Sequence, residues 1–133
     1  MADVPRIFRV VLQVADLDQG IEFYSRLLDV PGRKVGGARA YFDCGPVILA
    51  LLEPAPAGPP VVPNPDDLYF AVVDLEKIYA RARSLGCLSR EKVHDDNAGE
   101  IVIRPWRECS FYAADPWGNG LCFVEQATVF TGH

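Results

Sequence analysis

The feature that most constrains the fold of this chain is a pattern that occurs twice along it. A β-rich run over residues 10–17 ends in Val-Ala-Asp-Leu, and a second run over residues 68–75 ends in Val-Val-Asp-Leu. The two aspartates, Asp16 and Asp74, stand 58 residues apart. A repeat of this length indicates one structural unit built twice. We therefore expect two modules of the same topology.

Each copy of the pattern leads into a predicted amphipathic helix, and the aspartate is a suitable N-cap in both. The apolar stripe of the first helix comprises Ile21, Phe23, Tyr24, Leu27 and Leu28, and Pro31-Gly32 is expected to end it. The stripe of the second helix comprises Ile78, Ala82 and Leu85, followed by Gly86 as a C′ residue. The matching helices support the duplication.

The ends of the two modules also match. A turn at residues 43–46 leads into an apolar strand over 47–53, and a turn at 115–120 leads into a strand over 121–125. Between helix and last strand there is room for two more strands, near Val35 and residues 39–43 in the first copy, and near residues 100–104 and 109–114 in the second. Each module therefore has the predicted order β-α-β-β-β.

A proline-rich segment separates the copies. Residues 54–65 hold six of the eleven prolines, which is typical of a linker. Its 12 residues could span roughly 40 Å at about 3.3 Å each, whereas a domain of this length has a radius of gyration of about 14 Å. The modules, about residues 7–53 and 67–126, can therefore pair within one chain or exchange between two.

Three sequence features together resemble the vicinal-oxygen-chelate superfamily, which includes glyoxalases, bleomycin resistance proteins and extradiol dioxygenases. They are the repeated Val-x-Asp-Leu, a first helix carrying Phe23-Tyr24 and the letters Leu-Leu-Asp-Val at 27–30, and Phe-Tyr-x-x-Asp-Pro-Trp-Gly-Asn at 111–119. The resemblance covers nearly the whole chain. It implies a single α+β domain over residues 1–133, in which two βαβββ modules form a curved, mostly antiparallel sheet around a cavity.

The resemblance also implies where metal ligands would stand. Members that use a metal take ligands from the first and last strands of both modules, and the matching positions are Arg9, Asp67 (Leu68 if the register slips by one), Ala50 and Cys122. This set offers one sure carboxylate and one thiol, whereas such sites need three or four N or O donors. We therefore predict no metal and no cofactor.

The opposite charges of Arg9 and Asp67 suggest that an ion pair replaces the metal. In a buried setting, breaking such a pair costs roughly 3–5 kcal/mol. Arg9 could instead face an anionic ligand, with Asp67 orienting its guanidinium. The simpler interpretation is that both are solvated charges at strand ends.

Period-two alternation, counted from Ala50 and Cys122, indicates which side chains face the cavity. It places Arg9 and Gln13 on the inner face of the first module, and Asp67 and Tyr69 on that of the second. The predicted ligand-binding residues are these four together with Trp106, in a segment that forms pocket walls in the family, and Cys122 as a buried, unreactive thiol.

The function predicted from these features is metal-free binding of an apolar or aromatic small molecule in the internal cavity. The alternatives are a metal-dependent lyase or dioxygenase of the same superfamily, or an enzyme without metal that uses Asp67 or Glu53 as a general base. No catalytic residue is assigned. His94, within Glu-Lys-Val-His-Asp-Asp-Asn at 91–97, is interpreted as part of a solvated connection rather than a metal cluster.

Composition limits the other possibilities. The net charge is −5, and basic residues cluster no further than Arg81 and Arg83, which argues against nucleic-acid or membrane partners. The N-terminal letters do not form a signal region, and four cysteines without CxxC spacing suit a reducing cytoplasm. Exposed sheet edges and the long linker favour a homodimer.

Overall fold

The computed structural model describes residues 3–55, 58 and 60–133 of the chain. The chain divides into two compact units, residues 1–62 and residues 63–133, which are referred to below as the first and second modules. Among the described residues, no helix has the length and apolar character needed to cross a membrane.

The first module contains one helix and a four-stranded sheet. Its elements are β1 (Arg9–Gln13), α1 (Leu17–Leu28), β2 (Arg33–Val35), β3 (Arg39–Cys44) and β4 (Val47–Leu52). The strand order is β1-β4-β3-β2, and only the β1–β4 pair is parallel. The predicted order β-α-β-β-β is confirmed.

The second module repeats this arrangement and adds a hairpin after its helix. Its elements are β5 (Leu68–Val72), α2 (Leu75–Ser84), β6 (Lys92–Val93), β7 (Asp96–Asn97), β8 (Val102–Ile103), β9 (Cys109–Ala114) and β10 (Gly120–Glu125), followed by a 3-10 helix (Gln126–Thr128). The main sheet has the order β5-β10-β9-β8, again with one parallel pair, β5–β10. Both sheets are mixed, and the α+β class is confirmed.

Both helices begin at the predicted caps. Asp16 Oδ1 accepts a hydrogen bond from the backbone N–H of Gln19 at 2.9 Å, and Asp74 Oδ1 accepts one from Lys77 at 3.1 Å. These bonds satisfy N–H groups that have no partner inside the helix. The first helix ends with Asp29 in the left-handed region (φ 56°), before the predicted Pro31-Gly32 stop.

The buried stripe of α1 is centred differently from the prediction. Phe23, Tyr24 and Leu27 are buried, whereas Ile21 and Leu28 are half-buried at its edges. The Tyr24 ring lies 6.2 Å from Phe42 of β3, so this side of the sheet packs on the helix. In the second module, Tyr79 of α2 contacts Phe111 of β9 in the same way, with ring centroids 5.3 Å apart.

The opposite side of each sheet is called here the helix-free face. Cross-strand pairing places Arg9, Val11, Gln13, Tyr41, Ile48, Ala50 and Leu52 on that of the first module. It places Tyr69, Ala71, Ser110, Tyr112, Gly120, Cys122 and Val124 on that of the second. The predicted alternation in these strands is therefore reproduced.

The connection between α2 and β8 contains a hairpin formed by β6 and β7. Residues 91–97 were predicted as a solvated connection, and within it His94 and Asp95, both exposed, form a two-residue turn between paired strands. Both residues have positive φ, 51° and 68°, as a type I′ turn requires. The hairpin itself was not predicted, because neither residue is the glycine that usually marks such a turn.

Candidate functional site

The helix-free face of the second module carries a row of adjacent polar side chains. Cys122 lies directly opposite Tyr69 on one side and Tyr112 on the other. Ser110 follows on the same face, two residues before Tyr112. Burial raises the pKa of the Cys122 thiol to about 11, and it also raises the pKa of the Tyr112 hydroxyl. The thiol and the tyrosine are therefore protonated near neutral pH.

A buried arginine supports one end of this row. Arg104 is 1% exposed, and its Nε donates to Ser110 Oγ at 3.1 Å. Its Nη2 donates to the carbonyl groups of Ala98, Glu100 and Ser110 at 3.0–3.2 Å. Its guanidinium carbon lies 5.2 Å from the centre of the Tyr112 ring. Arg104 therefore ties residues 98–104 to β9.

Beside the row lies a cavity of about 460 Å³, called here the aromatic pocket. Its lining residues are Tyr69, Phe70, Ala71, Trp106, Glu108, Val124, Val129 and Phe130. Tyr69 is 58% exposed and Phe130 is 56% exposed, which is unusual for large rings on one surface. Four of the eight lining residues are therefore aromatic, and one is charged.

Glu108 organises two walls of the aromatic pocket. Its Oε1 accepts a hydrogen bond from Trp106 Nε1 at 2.7 Å, and its Oε2 accepts one from the backbone N–H of Phe130 at 2.9 Å. The Trp106 ring also contacts His94 edge-on at 5.4 Å. The indole and the chain after the 3-10 helix are thus both attached to the same carboxylate.

A second cavity, of about 560 Å³, lies beside Asp67 and is called here the acidic pocket. Asp66, Asp67, Arg90 and Glu91 are among its lining residues. Partial burial raises the pKa of the Asp67 carboxyl, and the negative charges of Glu91 and Asp66 add to the shift. Its carboxylic acid form is therefore favoured relative to an isolated aspartate.

The contact between Asp67 and Gly120 shows which residue, Asp67 or Leu68, corresponds to Arg9. A Cβ at Gly120 would collide with the Asp67 carboxylate, so this carboxylate occupies space that is free because residue 120 is glycine. Since Gly120 and Cys122 share the helix-free face, Asp67 lies on that side too. Leu68 pairs with Leu121 and belongs to the opposite side. Asp67, rather than Leu68, is thus the position that matches Arg9.

In the first module, the predicted residues have other partners. Arg9 Nη1 donates to the Tyr41 hydroxyl at 2.8 Å, and the Arg9 guanidinium lies 5.0 Å from the Phe8 ring. Gln13 Oε1 accepts from the backbone N–H of Val62 at 2.9 Å, which fixes the end of the linker. Glu53 accepts from the N–H of Leu17 at 2.8 Å and so serves the start of α1.

The four positions that the resemblance assigns to metal ligands do not fit a metal ion. Ala50 has no donor atom, Arg9 is a cation bonded to Tyr41, and the Cys122 thiol resists ionisation. Within the described part of the chain, no group of three or more His, Cys, Asp or Glu side chains could hold one. Arg9 and Asp67 are both exposed, which contradicts the buried environment assumed for an ion pair between them.

The structure brings two of the six predicted ligand-binding residues, Tyr69 and Trp106, together in the aromatic pocket. Cys122 is paired with Tyr69 but is buried and does not line the pocket. Sequence reasoning missed Glu108 and Phe130. Phe130 lies beyond the predicted end of the second module, and no motif marked Glu108; only its place two residues after Trp106 could have drawn attention to it.

Similar folds occur among solved structures. Oxidase ChaP-H1 matches with a TM-score of 0.77, 21% identity, and coverage of 98% of this chain and 100% of that one. A glyoxalase/bleomycin resistance protein from Albidiferax ferrireducens T118 matches with a TM-score of 0.73 and 22% identity, covering 90% and 98%. Lactoylglutathione lyase from Agrobacterium tumefaciens matches with a TM-score of 0.64 and 21% identity, covering 97% and 100%. At these identities the likeness establishes the fold alone.

Comparison of the amino-acid sequence with known families identifies the family of this chain. None of the curated proteins matches the chain. The sequence model of the Glyoxalase/Bleomycin resistance protein/Dioxygenase superfamily, however, matches residues 6–123, which is most of both modules. The duplicated βαβββ architecture agrees with that match. The chain therefore belongs to the Glyoxalase/Bleomycin resistance protein/Dioxygenase superfamily.

Proposed function

We propose that this protein binds a small aromatic molecule, without a metal ion, in the aromatic pocket of its second module. The observation that carries the proposal is the set of rings around one cavity, with the exposed Tyr69 and Phe130 and the half-buried Trp106 on its walls. A cavity of about 460 Å³ falls within the usual range for small-molecule sites, which are mostly apolar with a few placed polar groups.

The rings of the pocket favour a flat ligand. Aromatic side chains contribute large apolar areas and stack on other rings in offset or edge-on geometry, which adds about 0.5–1.5 kcal/mol per pair beyond burial. Trp106 is held in place by Glu108 and His94, so less side-chain freedom is lost when a ligand binds. A planar aromatic compound therefore uses this surface better than an aliphatic one.

A second candidate function rests on Asp67. An aspartate with a raised pKa beside a cavity of about 560 Å³ is a candidate general acid or base, and this supports the alternative of an enzyme that works without a metal. Glu53, the other candidate base, already binds the start of α1. The solved structures with this fold include proteins named as an oxidase and as a lyase, and one fold can host both binding and catalysis.

The proposal extends to the oligomeric state and the cellular location of the protein. We expect a homodimer in the cytoplasm, with no nucleic-acid or membrane partner. Ile7 and Val73 are exposed by 72% and 84%, and Ile103, in the short strand β8, by 70%; such residues favour association. Light scattering at micromolar concentration should give about twice the monomer mass of 14.7 kDa, and a value near one monomer would contradict the dimer.

Fluorescence tests the proposed site directly. Trp106 and Trp117 are the two tryptophans of the chain, and Trp117 does not line the aromatic pocket. In a Trp117→Phe variant, all indole emission comes from Trp106. Titration with acridine, a neutral planar aromatic, should quench this emission with a saturable curve and a Kd in the micromolar range.

Matched variants complete the experiment. Trp106→Ala should weaken acridine binding at least tenfold, measured by the dye's own emission, whereas Trp117→Phe should leave it unchanged. Asp67→Asn alters the second candidate function alone, because Asp67 lines the acidic pocket and is not among the lining residues of the aromatic pocket. Absence of saturable acridine binding would overturn the proposal, and so would equal binding by Trp106→Ala.

A further inference from the structure

The aromatic pocket contains one charge, the carboxylate of Glu108. Its other lining residues are aromatic or aliphatic, and none is basic. None of the ion pairs seen among the described residues, such as Arg26–Glu22, Arg33–Asp43 and Lys34–Asp18, involves Glu108. The two N–H groups that Glu108 accepts, from Trp106 and Phe130, are neutral donors. The pocket therefore carries a net negative charge.

This charge reaches the other walls of the pocket. Partial burial raises the pKa of the Tyr69 hydroxyl, and the negative charge of Glu108 is one of the smaller contributions in the same direction. Arg104, the buried cation on this face, is 1% exposed; its Nε and Nη2 donate to Ser110 Oγ and three carbonyl groups, whereas its buried Nη1 has no hydrogen-bond partner among the described residues. It is not among the lining residues, so a ligand meets the carboxylate rather than the guanidinium.

Aromatic faces add to this field. The face of an indole or phenol ring is electronegative, and a cation within about 6 Å of its centre is attracted to it. Trp106 and Tyr69 present such rings in the same cavity as an uncompensated carboxylate. An anion would be repelled by the carboxylate and by the ring faces, whereas a neutral ligand would gain no charge attraction from either.

We infer that the aromatic pocket selects an organic cation whose charge is delocalised over, or attached to, a planar aromatic ring. The inference rests on the proposed function and adds the charge of the ligand to it. Tyr69, Trp106 and Phe130 would stack on the ring, and Glu108 would face its positive end. The overall net charge of −5 would also favour the approach of a cation at low ionic strength.

A pair of probes of nearly the same shape tests the inference. Acridine is neutral at pH 7.5, and 10-methylacridinium is its permanently charged counterpart. The wild-type protein should bind the cation about tenfold more tightly than acridine at 20 mM salt. Raising the salt to 500 mM should reduce this ratio, because screening weakens interactions between charges but hardly affects stacking.

Two variants assign the preference to one residue. Glu108→Gln should reduce the ratio of the two affinities to about one, with folding checked by thermal melting. Glu22→Gln changes the net charge equally at an exposed side chain of the first module, and should leave the ratio at its wild-type value. The ratio is the readout because Glu108→Gln also alters the hydrogen bonds to Trp106 and Phe130.

The possible outcomes separate this inference from the proposed function. If neither probe binds, the aromatic pocket is not a ligand site and both proposals fail. If acridine binds as tightly as the cation, the proposed function stands and the selection of cations is refuted. If Glu108→Gln preserves the preference, the proposed function stands and the assignment of the preference to Glu108 is refuted. A tenfold preference that disappears in Glu108→Gln, and persists in Glu22→Gln, supports both.

Discussion

The two modules use the same strand positions to build surfaces of opposite character. On the helix-free face of the first module, Tyr41 lies opposite Ala50 and binds the exposed Arg9. At the matching place in the second module, Tyr112 lies opposite Cys122, is 6% exposed, and contacts the buried Arg104. Each module therefore combines a tyrosine with an arginine, and the arginine is exposed in the first module and buried in the second.

The difference shows how a duplicated scaffold can diverge without changing its register. The second module inserts the β6–β7 hairpin and residues 98–104 over its tyrosine, and the carbonyl oxygen of Ala98 accepts hydrogen bonds from both the backbone N–H of Tyr112 and the Arg104 guanidinium. The α1–β2 connection, which is the matching segment of the first module, is too short to do the same. Burial, rather than residue type, separates the two faces, and it predicts unequal responses to the same substitutions.

The largest contrast should come from the arginines. Arg104→Ala is expected to destabilise the protein by about 3 kcal/mol or more, because it removes four hydrogen bonds and leaves a cavity. Arg9→Ala should cost less than about 1 kcal/mol, since Arg9 is exposed. Urea unfolding measures both. Arg104→Met, which keeps part of the stem, separates packing from hydrogen bonding, and equal losses for Arg9→Ala and Arg104→Ala would contradict the comparison.

The cysteines should give the next largest effect, at alkaline pH. Burial raises the pKa of Cys122 from 9.0 to about 11. The protonated thiol therefore contributes to the free energy of unfolding below pH 9, and this contribution is lost as the pH rises toward 11. The free energy of unfolding should fall by roughly 2 kcal/mol for this reason. Thermal melts from pH 8 to 11 should show a shallower decline for Cys122→Ala than for wild type. Cys44→Ala, at a half-buried thiol of the first module, is the control and should change the slope little.

Gly120 and Ile48 occupy matching positions in the two modules, and only Gly120 leaves room for the carboxylate of Asp67. Gly120→Ala should therefore cost about 1 kcal/mol through forced movement of Asp67. The double variant Asp67→Gly, Gly120→Ala should recover most of this loss in a double-mutant cycle. Additive losses in urea unfolding would show that Asp67 is not what the new methyl group meets.

The smallest effects should come from the tyrosine hydroxyls. Tyr112→Phe removes a buried hydroxyl beside the polar side chains of Tyr69 and Cys122 and should cost about 1 kcal/mol. Tyr41→Phe removes an exposed bond to Arg9 and should cost less than about 0.5 kcal/mol. Chemical denaturation of the two variants side by side decides the matter, and a reversed order would mean that the face of the first module is buried in solution.

Most of the fold followed from the sequence, because the signals that define it are local. Asp16 and Asp74 cap their helices as predicted, since an N-cap depends only on the three residues that follow it. The alternation of side chains between the two faces of β1 and β5 was also reproduced, because it follows from the two-residue period of a strand. The His94–Asp95 turn was missed because neither residue is the glycine that usually marks a two-residue hairpin, and the paired strands have only two residues each.

The candidate site was predictable only in part. Tyr69 was identified by period two and Trp106 by resemblance, and both line the aromatic pocket. Arg104 could not be identified, because arginine is normally expected at the surface and its burial depends on carbonyl groups supplied by Ala98, Glu100 and Ser110. The Arg9–Asp67 pair illustrates the converse error, since a position inherited from a metal site does not itself imply burial.

The attachment of Phe130 has a consequence for the speed of ligand exchange. The segment after β10 is held by Thr128, which bonds the N–H of Cys109 and the carbonyl of Glu125, and by the bond from Phe130 to Glu108. Detaching it breaks only these few bonds and leaves the sheet intact, so it belongs to the low-energy openings of the molecule. A bound ligand that stacks on Phe130 would slow amide hydrogen exchange there, and its residence time would be governed by this local opening rather than by global unfolding.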